Sequence, residues 1–409
     1  MIGAHPKRRE VFICIMMLLF VLQSGLEQVA SVFTYIDELP VLLAILCIIK
    51  KPNRIKRTKQ DDLCIFLALA VFVVVGLTGN ILYRYQPVNL VLTDVLSNLK
   101  FFFAIYAAEQ GLPDNVLNYK NVPRLANYLS IALFVLFLVD RVFNIFGGQI
   151  RYGLKTNQLF YTHPTYLAGT CVFLIGILTI FNYKKYKWPI VFNLILLAFT
   201  LRGKAIAGAA CYLLICFIVL KMHSKLKIWQ IGLVGLLGVA IAWNQIYFYF
   251  IKLSGASARS VMFATSLRIM RDYFPIGTGF GTYGSHSAAV NYSPVYIKYG
   301  FESIYELRNS SVGTFFDDQF WPIIFGQTGA IGTACYLFIL YRLFNKIQSV
   351  RKVHSGAYIA ALFTFVYLLI SSVAEPAFNN SIAIPIACII GVCFRLANNM
   401  NHNHNHRLL

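Results

Sequence analysis

Two residue types in this chain are placed to do chemistry: arginines that suit phosphate groups and carboxylates at the end of an apolar segment. Arg202 and Lys204 stand in LILLAFTLRGKAIAGAACYLL, in a turn so short that both cations are held where two apolar segments meet. Arg259, Arg268, Arg271 and Asp272 lie in ASARSVMFATSLRIMRDYF, over 256–274. Asp317 and Asp318 stand in FFDDQFWP, immediately before apolar IIFGQTGAIG. The planar guanidinium fork of arginine donates two parallel hydrogen bonds and so fits a diphosphate. A carboxylate at a membrane entry is costly unless it has a partner or a job, and one job is to take a proton from a sugar hydroxyl. Glu302 and Glu306 compete for that role, as does Asp37 in TYIDELP. The plainer readings are snorkelling cations at a helix end, helix arginines resting on bilayer phosphates, and an interfacial loop acid.

The elements that must position these groups are apolar. The chain has 409 residues, of which 58% are hydrophobic and 13% charged. A soluble domain would carry about a quarter charged residues. Apolar segments recur along the chain, each about 20 residues long, which predicts an all-α polytopic membrane protein forming one integral domain over 1–409. About twelve spans are expected, at 11–30, 33–49, 62–82, 88–108, 125–146, 162–182, 188–201, 205–221, 228–247, 320–344, 356–374 and 380–397. The long break, 248–319, is a loop between spans.

Net charge is +20, but the basic residues fall in short clusters between spans, which argues for membrane orientation and against nucleic acid. With the N-terminus in the cytoplasm, the clusters at 50–59, 109–124, 184–187, 221–227, 342–352 and the C-terminal tail all lie inside. The loop 248–319 and the turn at Arg202-Gly203-Lys204 then face outward. Cations on that side oppose the orientation bias, which marks Arg202, Lys204, Arg259, Arg268 and Arg271 as functional candidates. His5-Pro-Lys-Arg-Arg before an apolar run reads as the start of an uncleaved first span. The nine cysteines fall in or beside apolar segments without metal-ligand spacing and read as packing residues.

Within the loop, 256–274 predicts an amphipathic helix at the outer interface, with Arg268 and Arg271 on one face and Arg259 near its start. Gly279-x-Gly281-x-x-Gly284 matches the dinucleotide fingerprint formally, but no βαβ unit surrounds it; the glycines read as a tight turn and a close backbone approach to a ligand. His163 and His286 read as solvated loop residues. The alternation NHNHNH at 401–406 reads as a flexible tail.

Together, TLRGKA, SARSVMFATSLRIMRDYFPIGTGFGTYGS and FFDDQFWPIIFGQTGAIGTACYLF resemble the O-antigen and capsular-polysaccharide polymerase family, related to the O-antigen ligases, most strongly over 195–345. The resemblance implies a glycosyltransferase C-like helical architecture in the bacterial inner membrane, both termini cytoplasmic and loop 248–319 periplasmic. It implies transfer of a growing glycan from undecaprenyl diphosphate to a sugar hydroxyl of a lipid-linked repeat unit. Arg202 and Arg259 match the positions expected to hold the donor diphosphate, with Lys204, Arg268 and Arg271 beside them. Asp317 or Asp318 is the candidate base, where the ligases carry a histidine. The leaving group is already activated, so no cofactor, nucleotide or metal is expected. The implied partners are the lipid-linked oligosaccharide, membrane lipids and a chain-length regulator. The alternatives are a ligase with the same chemistry and a flippase or transporter of lipid-linked glycans.

Overall fold

The computed structural model describes residues 6–50, 60–113, 115–222, 257–308 and 315–405, with side chains for all of these except 6, 47–50, 60, 61 and 399–405. The architecture is all-α, with 75% of residues helical and 1% in strand. In chain order the helices are α1 (Pro6–Leu26), α2 (Leu39–Lys50), α3 (Gln60–Tyr83), α4 (Val88–Gly111), α5 (Asn121–Phe143), α6 (Pro164–Asn182), α7 (Lys187–Phe199), α8 (Gly203–Cys216), α9 (Ala258–Asp272), α10 (His286–Val290), α11 (Pro294–Lys298), α12 (Phe320–Val350), α13 (Ser355–Ser371) and α14 (Ala383–Asn405). A small hairpin, β1 (Ile150–Arg151) with β2 (Leu154–Lys155), lies between α5 and α6.

Among the described residues, seven helices are long and apolar enough to cross a membrane: α1, α3, α4, α5, α6, α12, and α8 with its π-helical continuation to Lys221. The expected segments at 188–201, 356–374 and 380–397 form shorter apolar helices. The segment at 33–49 is not one span-length helix. It forms a 3-10 helix, Ser31–Glu38, followed by the twelve-residue α2. The segment 228–247 lies outside the described residues.

Burial follows composition. α6 and α13 are apolar all round, almost wholly buried, and form the centre, whereas α1, α3 and α5 are about one-third buried and keep apolar side chains such as Val74 and Leu138 on the outside. These features are those of a multi-pass membrane protein. Asp140 and Arg141 stand in the last turn of α5, not mid-span. Asp140 accepts from Lys155 Nζ of β2 at 3.2 Å, tying the hairpin to the helix end.

The region 257–308 is folded onto this bundle. α9 packs on α12 and buries Met262, Thr265, Ser266 and Ile269, while Leu267 and Phe274 face out. Beside it is a separate aromatic core: the ring of Tyr296 stacks on Phe316 at 4.2 Å and on Phe301 at 5.3 Å between centroids.

The glycine run between α9 and α10 approaches backbone, not an open ligand site. α12 is interrupted at Gly329 (φ 58°, ψ −155°). The break leaves helix carbonyls unpaired, and the run satisfies them: Thr278 N donates to Gly326 O at 3.0 Å and Gly279 N to Gln327 O at 2.8 Å. Ile331 N donates in return to Pro275 O at 3.1 Å. Gly279 (φ +98°) packs so tightly on α3 that a Cβ there would meet Asn80 N at 2.5 Å. Asn80 closes the contact, accepting from Phe280 N and donating to Phe280 O, both at 2.8 Å. The formal dinucleotide pattern is therefore a packing device between two helices.

Candidate functional site

Four helix starts converge at the end of the bundle that carries 257–308. Pro164 begins α6, where its fixed φ and missing N–H cost nothing, and His163 is the N-cap. Arg202 is the N-cap of α8 and Lys204 lies in its first turn. Arg259 is in the first turn of α9, behind the N-cap Ser257. Asp317 and Asp318 immediately precede Gln319, the N-cap of α12. The positive ends of four helix dipoles add to the cations, an arrangement that favours an anion.

The contacts bind these starts together. Arg202 Nη2 lies 2.6 Å from His163 Nε2. Arg259 Nη2 lies 3.1 Å from Asp318 Oδ2, and both side chains remain about one-third accessible. Lys204 pairs with Glu375, which lies between α13 and α14, and Lys204 is within electrostatic reach of both Arg202 and Arg259. Arg202, Lys204, Arg259 and Asp318, separated by up to 116 positions in sequence (318 − 202), thus form one charged cluster.

His163 and Asp317 titrate away from their ordinary values. Partial burial, reinforced by the charges of Arg202, Lys204 and Arg151, lowers the His163 pKa to about 4, so its imidazole is neutral at pH 7. Burial also raises the Asp317 carboxyl above the usual carboxylate range; the neighbouring Asp318 adds to this and His286 opposes it. Asp318 is committed to Arg259, whereas Asp317 makes no ion pair among the described residues. A half-buried carboxylate with a raised pKa is the better-matched proton acceptor of the two.

The other expected site residues are placed differently from the cluster's ion pairs, although Glu306 touches the start of α9 and Asp37, like Asp317, lies near Tyr166. Arg268 follows Arg259 by nine positions, which at 100° per residue places it on the opposite face of α9, and it is exposed. Arg271 is exposed too, and its guanidinium rests on Asp272 at 3.0 Å. Glu306 Oε2 accepts from Ala258 N at 2.8 Å and so serves the start of α9, while Glu302 is solvent-facing. Asp37 is buried and pairs with Lys100 of α4. Sequence reasoning missed His163 and Glu375. His163 is not a solvated loop residue; it is half-buried on Arg202. The signal available was its place before Pro164 at the start of an apolar helix, and for Glu375 its place in the short connection between apolar segments, before Pro376. Among the described residues no group of three or more His, Cys, Asp or Glu is placed to hold a metal, and the side chains of 401–406 lie outside them.

Comparison with known proteins adds no relative: no family model matches this chain, and no curated protein matches it.

Proposed function

We propose that the chain is a polysaccharide polymerase of the O-antigen and capsule type. It would transfer a growing glycan from undecaprenyl diphosphate onto a sugar hydroxyl of a lipid-linked repeat unit, at the periplasmic face of the inner membrane. One observation carries the reading: Arg202, Lys204 and Arg259, from two separate helix starts, cluster beside Asp317 and Asp318 at one end of an apolar bundle. Placing that end in the periplasm rests on the positive-inside distribution of the basic clusters.

In this reading the cations hold the donor diphosphate and neutralise charge that builds on the departing oxygen. The acceptor hydroxyl oxygen attacks the anomeric carbon as the bond from that carbon to the diphosphate oxygen breaks. The hydroxyl proton passes to the Asp317 carboxylate, and the electron pair leaves with undecaprenyl diphosphate. A single displacement of this kind inverts the anomeric centre. The pairing of Arg259 with Asp318 would be exchanged for one with the diphosphate, while His163 keeps the Arg202 guanidinium aimed into the site. Tyr166, on the first turn of α6, is close enough to Asp317 and Glu375 to sense their charge and offers a ring to a sugar.

The experiment is a gel of lipid-linked glycans from cells carrying Arg202→Ala, Arg259→Ala or Asp317→Asn. Single repeat units without long chains support the polymerase. Lipid-linked polymer that never reaches its final acceptor identifies a ligase, and loss of all periplasmic glycan identifies a flippase. Wild-type ladders from all three variants would sink the assignment of the site.

A further inference from the structure

The hairpin between α5 and α6 is fastened beside the charged cluster. Its register pairs Ile150 with Lys155 and Arg151 with Leu154. Tyr152 and Gly153 form the turn, both with positive φ (52° and 75°), as a two-residue turn of the I′ kind requires. One further rung extends it: Thr156 N donates to Gln149 O at 2.8 Å and Gln149 N to Thr156 Oγ1 at 2.9 Å. A lone two-stranded hairpin is marginal in water, and this one is tied down at its base. Lys155 pairs with Asp140, Arg141 Nη2 donates to Lys155 O at 2.8 Å, and Asn157 N donates to Phe199 O at 2.9 Å. Phe199 ends α7, three positions before Arg202. The hairpin and the Arg202 turn are thus joined through one short connection. Arg151 lies near enough to His163, the partner of Arg202, for its charge to be felt there.

The hairpin's side chains divide by chemistry. Ile150, Tyr152 and Leu154 are 80%, 69% and 50% exposed, and they follow the end of α5, where Phe143 and Ile145 are exposed too. Such a surface is unfavourable in water and suits the bilayer boundary, with tyrosine and basic residues at headgroup level. Arg151 and Lys155 are half-buried. Lys155 is neutralised by Asp140, whereas Arg151 makes no ion pair among the described residues and reaches Gln149 Oε1 only at 3.4 Å. The hairpin therefore joins an apolar outer surface to a guanidinium beside the Arg202 turn. That combination matches a phosphate on a long apolar chain arriving sideways from the bilayer. We propose that the hairpin is the lip over which the lipid-linked donor enters from the outer leaflet, and that Arg151 holds its diphosphate together with Arg202. This rests on the polymerase reading for the substrate and adds to it a binding residue and a side of entry.

The test uses the full chain in phosphatidylcholine nanodiscs, with undecaprenyl diphosphate as the binding probe and the lipid-linked repeat unit as substrate. Arg151→Gln is expected to weaken binding of the probe about tenfold, the loss of one charge-assisted contact, and to raise KM by a similar factor with kcat within about twofold. Arg151→Lys keeps the charge and is expected to recover most of the affinity. The double variant Ile150→Ser, Leu154→Ser is expected to slow capture of undecaprenyl diphosphate from the bilayer but not of geranyl diphosphate supplied from water. Equal slowing of both probes would deny the hairpin its part in entry. Unchanged binding and KM in folded Arg151→Gln, while wild type polymerises, would overturn the inference and leave the polymerase reading standing. Weakened binding in that variant while wild type makes no polymer would keep the lipid-diphosphate site and remove the polymerase. Displacement of the probe by phosphatidylglycerol added to the nanodiscs, in wild type but not in Arg151→Gln, would make the hairpin a phospholipid contact and overturn the inference as well.

Discussion

His163 Nε2 and Arg202 Nη2 are 2.6 Å apart, although 39 positions separate them in the chain. The contact joins the N-caps of two helices, and it gives the arginine a neutral partner that orients it without cancelling its charge. A carboxylate there would compete with any incoming phosphate for the same guanidinium.

The pairing has a pH signature. With its pKa lowered from 6.5 to about 4, folded His163 binds fewer protons than the unfolded chain between those values. Its contribution to stability is therefore complete above pH 6.5 and falls as pH drops toward 4. Melting temperatures of wild type and His163→Asn between pH 7 and 4.5 check this: the acid-side decline is expected to be shallower in the variant. Identical profiles would show that His163 is not held neutral by its burial and the nearby Arg202, Lys204 and Arg151.

Asp317 and Asp318 are predicted to differ in kind. Asp317→Asn is expected to lower polymerisation by about 10²- to 10⁴-fold, the usual span for losing a general base. Asp318→Asn removes a negative neighbour, so the Asp317 carboxyl falls toward its ordinary range and the acid limb of the rate profile moves to lower pH. The profile of initial rate against pH for the two variants is the measurement. An acid limb that stays in place in Asp318→Asn would detach that limb from Asp317.

The glycine run distinguishes backbone conformation from packing. Gly300 and Gly279 both have positive φ, at +75° and +98°, but a Cβ at Gly300 meets nothing within 4 Å while one at Gly279 meets Asn80 N at 2.5 Å. Gly300→Ala is expected to cost about 1 to 2 kcal/mol, the left-handed penalty alone. Gly279→Ala adds a backbone clash and should yield far less folded protein, with faster amide exchange over 275–285. Equal effects from the two substitutions would contradict the packing described between α3, the glycine run and α12.

The aromatic core of 257–308 is predicted to hold that region together independently of the bundle. Tyr296→Ala removes stacks on both Phe301 and Phe316 and is expected to cost about 3 to 5 kcal/mol, as for other large aromatic truncations. Hydrogen exchange should quicken across 286–308 and leave α6 and α13 protected. Uniform loss of protection would show instead that the two cores unfold as one.

The all-α class was legible because hydropathy acts at the scale of a helix, and a run such as PTYLAGTCVFLIGILTIFN has few other ways to satisfy its backbone in an apolar medium. The helix expected over 256–274 was legible from its periodicity and forms as Ala258–Asp272, its start fixed by the Ser257 cap that the structure shows. The segment at 33–49 misled because Asp37 and Glu38 fall where a 3-10 turn, and not a continuous helix, brings Asp37 to Lys100. Arg202 and Arg259 could be picked out as cations on the unexpected side. Their union with His163 and Glu375 could not, because it depends on which helix starts meet in space. Arg268 stands away from Arg259 for the opposite reason: nine positions are two and a half turns, so residues close in sequence take opposite faces of one helix.

The most direct test uses the purified full chain in lipid bilayers with a single undecaprenyl-diphosphate repeat unit as the sole substrate, followed by the length distribution of product. Wild type is predicted to produce a ladder, and Arg202→Ala and Arg259→Ala, with unchanged melting temperatures, to produce at least about 10²-fold less, the scale for removing one preorganised donor from a charged transition state. Full ladders from both folded variants would contradict the assignment of the charged cluster as the site of transfer.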